Sequence, residues 1–288
     1  MPDARLVLDC RNTLGEGPSW SVRRNTLFWT DIEGRKLWSY DPATGRAGSI
    51  DAPHRIGSFA FRADGTLAVA FDRSFAFWDP ASGRVETLHA FEPETPTTRL
   101  NDGRCDRQGR FVAGGIDEQT PRRRISSVWR LNPDRTLERL IPEVRTSNSI
   151  CFSPDGRTLY FADTPERKIW AYEYEPETGR LGARRLFHAL PPGPGSPDGS
   201  VVDAEGHLWN AEWGTGRVVR YAPDGTVDRV VGVPARNTTC PAFGGPDLST
   251  LYITSARGED EAAARAEDPL GGGAFAVETG VRGLPEPE

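Results

Sequence analysis

"LFWTDIEGRKLWSYDPATG", residues 27–45, is the stretch whose reading decides the fold. A short apolar run, Leu27 to Thr30, gives way to a polar break. A second alternating run, Leu37 to Tyr40, ends in an Asp-Pro-x-x-Gly turn, so the unit reads as strand, turn, strand, turn. The template recurs as "LAVAFDRSFAFWDPASG" from Leu67, "FVAGGIDEQTPRRRISSVWRLNPDRT" from Phe111, "LYFADTPERKIWAYEYEPETG" from Leu159, "LWNAEWGTGRVVRYAPDGT" from Leu208 and "LYITSARGED" from Leu251 leading to "GGGAFAVETG". Successive starts lie 40 to 49 residues apart. Repeats of that length made of strands and turns predict an all-β, six-bladed β-propeller with four-stranded blades around a central channel. A β-sandwich would account for the strands but not for one template written six times.

A lone blade cannot bury both faces, whereas blades stacked around an axis share one continuous core. Residues 1–288 are therefore expected to form a single domain. "ARLVLD", residues 4–9, is expected to pair into the last blade and close the ring, which would protect two open strand edges. "GEDEAAARAEDPLGGG", residues 258–273, reads as a charged loop with one helical turn, and the tail 282–288 as frayed.

Composition narrows the function. With 31 Gly, 24 Pro and 8 Trp in 288 residues, 37% hydrophobic and 26% charged, the chain suits a turn-rich globular fold. A net charge of −6 leaves no footprint for nucleic acid or an anionic membrane. Arg122, Arg123 and Arg124 form the densest basic run and read as a solvated loop tip. Cys10, Cys105, Cys151 and Cys240 show no C-x-x-C, and neither a leader peptide nor a spanning apolar run accompanies them, so a cytoplasmic chain with reduced thiols is expected, monomeric by default. The four histidines have no metal-ligand spacing. Any metal must therefore be held mainly by oxygen.

Oxygen donors recur at one offset. The strand before each template start would line the channel: "GEGPSW", "GSFAF", "NDGRC", "NSICF", "DGSVV" and "TCPAF". Four positions before their last residues, Trp20, Phe61, Cys105, Phe152, Val202 and Phe243, stand Glu16, Gly57, Asn101, Asn148, Asp198 and Thr239. Equivalent positions in a ring face one spot on its axis, so Glu16, Asn101, Asn148 and Asp198 are expected to converge there. Any one of them fits a wet channel or a turn before glycine. Together, two carboxylates and two carboxamides with no lysine or arginine at the offset make a hard-oxygen donor set for a divalent cation. Two neighbouring ionised carboxylates would otherwise repel and raise each other's pKa. Gly57 and Thr239 would leave room for a ligand on one side.

The segments "LGEGPSW", "RLNDGRCD", "TSNSICFSPDGRTLYFAD", "SPDGSVVDAEGHLW" and "CPAFGGPDLSTLYITSAR" resemble the SMP-30/gluconolactonase/regucalcin family from residue 5 to about 277. The resemblance implies a six-bladed propeller with one divalent metal held by Glu16, Asn148 and Asp198, with Asn101 close by. It further implies that Arg99 and Asn101 contact substrate. An acidic substrate contact of the family falls, by ungapped count, on Gln119, with Glu118 next door. Family members similar to this chain hydrolyse sugar lactones. L-Arabinono-, D-xylono-, D-galactono- and D-gluconolactone all stay open as substrates, and Ca²⁺, Mg²⁺, Mn²⁺, Zn²⁺ and Fe²⁺ as the metal.

The expected chemistry follows. A cation on the lactone carbonyl would stabilise the developing oxyanion, and a carboxylate would activate water. The resemblance gives Asp198 both ligand and base roles; Asp102, Asp163 and Glu212 are second choices for the base. Trp213, Phe243 and Trp20 are expected to form an apolar rim. No G-x-S-x-G nucleophile elbow is present, so no acyl-enzyme is expected. A Ca²⁺-binding regulatory protein and a propeller scaffold are the alternatives, because fold alone does not fix function.

Overall fold

In the computed structural model, which describes residues 3–258 and 260–288, each repeat becomes one antiparallel four-stranded sheet, six in all among the described residues. From the inner strand outward, blade one is Gly15–Ser21, Thr26–Asp31, Lys36–Asp41 and Arg46–Asp51. Blades two to five begin on the inner strands Ile56–Phe61, Thr98–Cys105, Ser147–Phe152 and Ser196–Val202. Blade six runs Asn237–Gly244, Thr250–Ala256, Ala274–Glu278, and its outer strand is Arg5–Leu8 from the other end of the chain. The fold is the six-bladed propeller that the repeat predicts.

Burial falls from the axis outward. Ile56–Phe61 is buried throughout, whereas Arg46–Asp51 is exposed throughout. Polar and charged outer strands keep the exposed edges from pairing with other chains. The apolar residues collect in six clusters, each shared by two adjacent blades. Trp20, Leu27 and Trp29 of blade one meet Tyr252, Ala274 and Ala276 of blade six. Trp209 and Val218 of blade five likewise meet Phe243 and Phe275 of blade six. Trp29, Trp78 and Trp209 are at most 1% exposed, and burying such a side chain contributes roughly 2–3 kcal/mol.

Register fixes which residues reach the axis. The last inner-strand residue pairs with the template start in every blade: Trp20 with Leu27, Phe61 with Leu67, Cys105 with Phe111, Phe152 with Leu159, Val202 with Leu208 and Phe243 with Leu251. Above these pairs each inner strand slips against its neighbour, between Glu16 and Ser19, Ile56 and Ser58, Leu100 and Gly103, Asn148 and Cys151, Pro197 and Ser200, and Thr238 and Pro241. A bulge of this kind breaks the ladder and re-aims a side chain. Gly17 and Ser149 take the positive φ it requires, +55° and +59°.

The bulged segments are stitched around the ring. Thr30 Oγ1 donates to the Ile56 carbonyl (3.0 Å), Ser149 Oγ to that of Asp198 (2.6 Å), and Thr239 Oγ1 to that of Gly15 (2.6 Å). Thr239 is fully buried, so its hydroxyl closes the ring rather than leaving ligand space. At Gly57 a Cβ would lie 2.6 Å from the Leu100 and Asn101 carbonyls. That glycine serves the approach of blades two and three.

Two chain segments differ from expectation. The insertion in blade six carries a seven-residue helix, Glu261–Glu267, two turns rather than one. The tail 282–288 is not frayed: Glu286 pairs with Arg104, the Pro285 carbonyl accepts from Arg107 (3.2 Å), and Glu288 accepts from the Val22 amide (2.8 Å). Buried arginines at the foot of the channel recruit it, and charge-assisted bonds hold short polar segments that composition marks as loose.

Removing residues 3–9 strips Ala274–Glu278 of its outer partner and uncovers the cluster that Ala4 joins. The expected loss is on the order of 3 kcal/mol, or ~5–10 °C in Tm, read by differential scanning fluorimetry. An unchanged Tm would show that ring closure does not need this strand.

Candidate metal centre

The donors at the common offset face a shared axis, and hydrogen bonds dictate which atoms they present. Arg99 donates from Nη1 to Asn101 Oδ1 (2.7 Å), so the Asn101 amide nitrogen must point the other way, to the Ser147 carbonyl (2.9 Å) and Asn148 Oδ1 (3.1 Å). Thr164 Oγ1 gives its one proton to the Pro197 carbonyl (3.0 Å) and can only accept from Asn148 Nδ2 (2.8 Å). The carboxamide oxygen of Asn148 is thereby turned from Thr164 toward Asn101 and the axis. Asp198 is held through its backbone, whose carbonyl accepts from Ser149 Oγ and Asn210 Nδ2 (3.0 Å).

Three carboxylates are buried here: Glu16, Asp102 and Asp198 are 5–7% exposed. Among the described residues none of them has an ion-pair partner. Burial raises the Glu16 pKa to about 8, with the charge of Asp102 adding to it against the Gly17 amide (3.1 Å) and Arg99. Burial, then Glu16 and Asp102, push Asp198 well above the usual carboxylate range. Burial lifts Asp102 to about 6, opposed by the Ile150 amide, which donates to Asp102 Oδ2 (2.8 Å). Clustered acids without an internal cation, flanked by two carboxamides, are the donor chemistry that a divalent ion satisfies. Glu16, Asn148 and Asp198 could hold it. Asp102, facing the same acids, is a carboxylate whose place the sequence offered only as a second choice for the base.

Asp163 and Glu212, the other second choices, are committed elsewhere. Asp163 accepts the Thr146 amide (3.0 Å) and Glu212 binds Arg217 (2.6 Å) and Tyr221 Oη (3.2 Å), so both pin strand ends. Asp203, Glu205 and His207 also bring ligand atoms within 4.8 Å of one another. The Arg220 guanidinium already occupies that group, 2.7 Å from Asp203 and 2.5 Å from Glu205. It supplies the positive charge a metal would bring.

Above the axis a cavity of about 250 Å³ is lined by Thr13, Leu14, Glu33, Arg99, Glu118, Arg122, Trp213 and Gly258. Glu118 binds Arg55 through both oxygens (2.7 and 3.1 Å) and Arg99 Nε (3.1 Å). Gln119 is exposed and is not among the lining residues, so of these two neighbours it is Glu118 that lines the mouth, together with Glu33. Trp213 reaches the cavity, but Trp20 stacks on Tyr252 and Phe243 packs against Trp209 in the blade cores. Those two are register anchors at the far ends of their strands, which is why they cannot form a rim. The Arg122–Arg124 run is exposed, as expected of a loop tip, but its side chains have partners. Arg122 lines the cavity, Arg123 binds Asp117 (2.8 Å) and Arg124 pairs with Glu166.

Comparison with known proteins agrees with this geometry. The family described as SMP-30/Gluconolactonase/LRE-like region matches residues 14–257. The chain is 44% identical to L-arabinolactonase of Azospirillum brasilense over 284 residues, covering 98% of this chain and 93% of that one. It is 37% identical to 6-deoxy-6-sulfogluconolactonase of Pseudomonas putida, covering 98% and 97%. The crystal structure of a calcium-binding protein, regucalcin, from Agrobacterium tumefaciens superposes with a TM-score of 0.93 at 34% identity, covering 100% of this chain and 97% of that one.

Two outcomes follow from the geometry. Thr164→Val removes the one acceptor that, among the described residues, receives the Asn148 amide and should weaken Mn²⁺ binding by ~10-fold or more in titration calorimetry; unaltered affinity would free Thr164 of that role. The second concerns pH. Acids with raised pKa keep protons that the unfolded chain has released, so the stability of the metal-free protein should fall as pH rises from 6 toward 8. Thermal melts should show this fall, and Glu16→Gln should flatten it; a rise over that window would contradict the placement of the acids.

Proposed function

The chain belongs to the SMP-30/gluconolactonase/LRE-like family, and from that premise we propose that it is a metal-dependent sugar lactonase that opens an aldonolactone to the aldonic acid. The observation that carries this reading is the trio of buried carboxylates that, among the described residues, have no arginine or lysine partner, beside two oriented carboxamides, one of them bonded to Arg99 in the wall of an open cavity. A divalent ion bound by Glu16, Asn148 and Asp198 supplies Lewis-acid stabilisation of negative charge on the lactone carbonyl oxygen. Ca²⁺, Mg²⁺, Mn²⁺, Zn²⁺ and Fe²⁺ are compatible with such a set.

The remaining work falls to side chains. Arg99 presents its Nη2 to the oxygens of the lactone, and Asn101, whose amide protons go to Ser147 and Asn148, offers its Oδ1 to a lactone hydroxyl. Asp198 removes a proton from the attacking water and returns it to the ring oxygen as the C–O bond breaks, so the product leaves as the hydroxy acid. General acid–base catalysis of this kind contributes roughly 10²–10⁴-fold. Glu118 helps to fix Arg99, and Trp213 shields the cavity from bulk water. An acyl-enzyme has no place in this scheme. Asp102 is the alternative base, since its carboxylate faces the same acids.

A regulatory Ca²⁺-binding role is the second reading, favoured by the structural likeness to a protein described as calcium-binding. Acid release from a panel of pentono- and hexonolactones, followed in a pH-stat with metal-stripped and metal-restored protein, separates the two. Turnover is expected only with metal restored, and Asp198→Asn should lower kcat by ~10²-fold or more while the fold is retained. Metal binding without acid release from any lactone would leave the regulatory reading standing.

A further inference from the structure

The mouth carries three arginines, and two of them are already neutralised. Arg55 binds Glu118 through two bonds and lies 3.4 Å from Glu33 and from Asp72. Arg99 shares Glu118 and spends its Nη1 on Asn101. Arg122 differs. Among the described residues its guanidinium has no carboxylate at ion-pair distance, and its bond is to the Asp117 carbonyl (2.7 Å).

That single bond is enough to place it, because its loop is anchored. The Asp117 side chain is fully buried and accepts from Thr97 Oγ1 (2.9 Å), the Arg123 amide (2.9 Å) and Arg123 Nε (2.8 Å). The loop after blade three's second strand is thus wrapped around one carboxylate, and Arg122 is carried to the cavity wall. Arg122 remains exposed on that wall, and desolvation, opposed by the charges of Asp117 and Glu118, lowers its pKa.

Resting on the lactonase reading, we propose that Arg122 is a specificity-determining residue that donates to the exocyclic hydroxyl oxygen of the lactone. With the carbonyl end of the ring directed to the axis, the opposite end occupies the cavity above Arg99. The carboxylates there are spent on arginines, so Arg122 is the guanidinium in the cavity wall that, among the described residues, has no carboxylate at ion-pair distance and can read an oxygen at that end. An Arg donor unmet by a truncated substrate disfavours that substrate, which is how a site discriminates by one hydroxyl.

The test compares L-arabinono-1,4-lactone with its 5-deoxy analogue, each as substrate and as competing ligand, on the metal-loaded wild type and on Arg122→Gln. Wild type should favour the hydroxylated lactone. Arg122→Gln should raise KM for it ~5–10-fold with kcat within about twofold, and change the 5-deoxy analogue by less than about twofold. Equal losses on both lactones would mean that Arg122 only supports the loop, and no loss on either would mean that it contacts nothing. Both results overturn the proposal while leaving lactonase activity intact. Absence of wild-type turnover and of competition by either lactone, with other lactones of the panel still opened, would overturn this inference alone, whereas absence of turnover across the whole panel would bring down the lactonase reading and this inference with it.

Discussion

Three acids share one dry axis, and the fold is arranged around that cost. Glu16, Asp102 and Asp198 come from blades one, three and five, and burial pushes each toward its neutral form, with repulsion from neighbouring acids adding to it at Glu16 and Asp198. The same chain shows how such a cluster is settled internally: at the far end of blade five, Arg220 neutralises Asp203 and Glu205. At the axis the equivalent move is withheld. Arg99 is drawn aside by Glu118 and directed onto the Asn101 carbonyl oxygen, so its charge influences Glu16 without pairing with it. A protein that can supply a guanidinium and does not leaves those oxygens available, as the proposed cation site requires.

Keeping them is useful only if they point the right way, and the bulge in each inner strand supplies the direction. A regular ladder would alternate every side chain between faces. One extra residue per inner strand breaks that alternation at the same height in all six blades. Cross-blade bonds then hold the bulged backbone: Ser149, in a left-handed conformation, reaches the Asp198 carbonyl, and Thr164 ties Asn148 to the residue preceding Asp198. The donors are therefore preorganised by their neighbours' strands rather than by their own. Rigidity of this kind is what a ligand-poor metal site requires.

What the sequence disclosed and what it hid divide along the same line. Position within a repeat was legible: the six anchor residues pair with the six template starts, and Glu16, Asn101, Asn148 and Asp198 stand at one height because cyclic repetition converts equal spacing into equal position. Partners across blades were not legible. Asp163 and Glu212 look as available as Asp102 when read along the chain, yet the first two cap strand ends and the third faces the axis. Trp20 and Phe243 sit near the donors in sequence but a whole strand length away along the channel. Thr164 and Asn210 gave no signal, since a buried Thr or Asn is identified only by what it bonds. The partners of the exposed arginine run were not legible either, because its anchor, Asp117, lies five residues upstream of Arg122 at the end of blade three's second strand.

The far end of the channel completes the argument about direction. Arg104 lies two residues beyond Asp102 on the same strand and is buried. Left alone it would offer Asp102 the ion pair that the site avoids. The tail intervenes: Glu286 takes the guanidinium, and Ser200 accepts from its Nη2 (3.3 Å). Pro287 settles beside Gly17, Phe59 and Gly103 of the inner strands. The Arg104 charge still lowers the Asp102 pKa, but no ion pair forms between them, so negative potential is kept up to the point where Glu16 and Asp198 meet. A segment composed of Gly, Leu, Pro and Glu can do this because it needs only one well-placed carboxylate and a buried guanidinium to receive it.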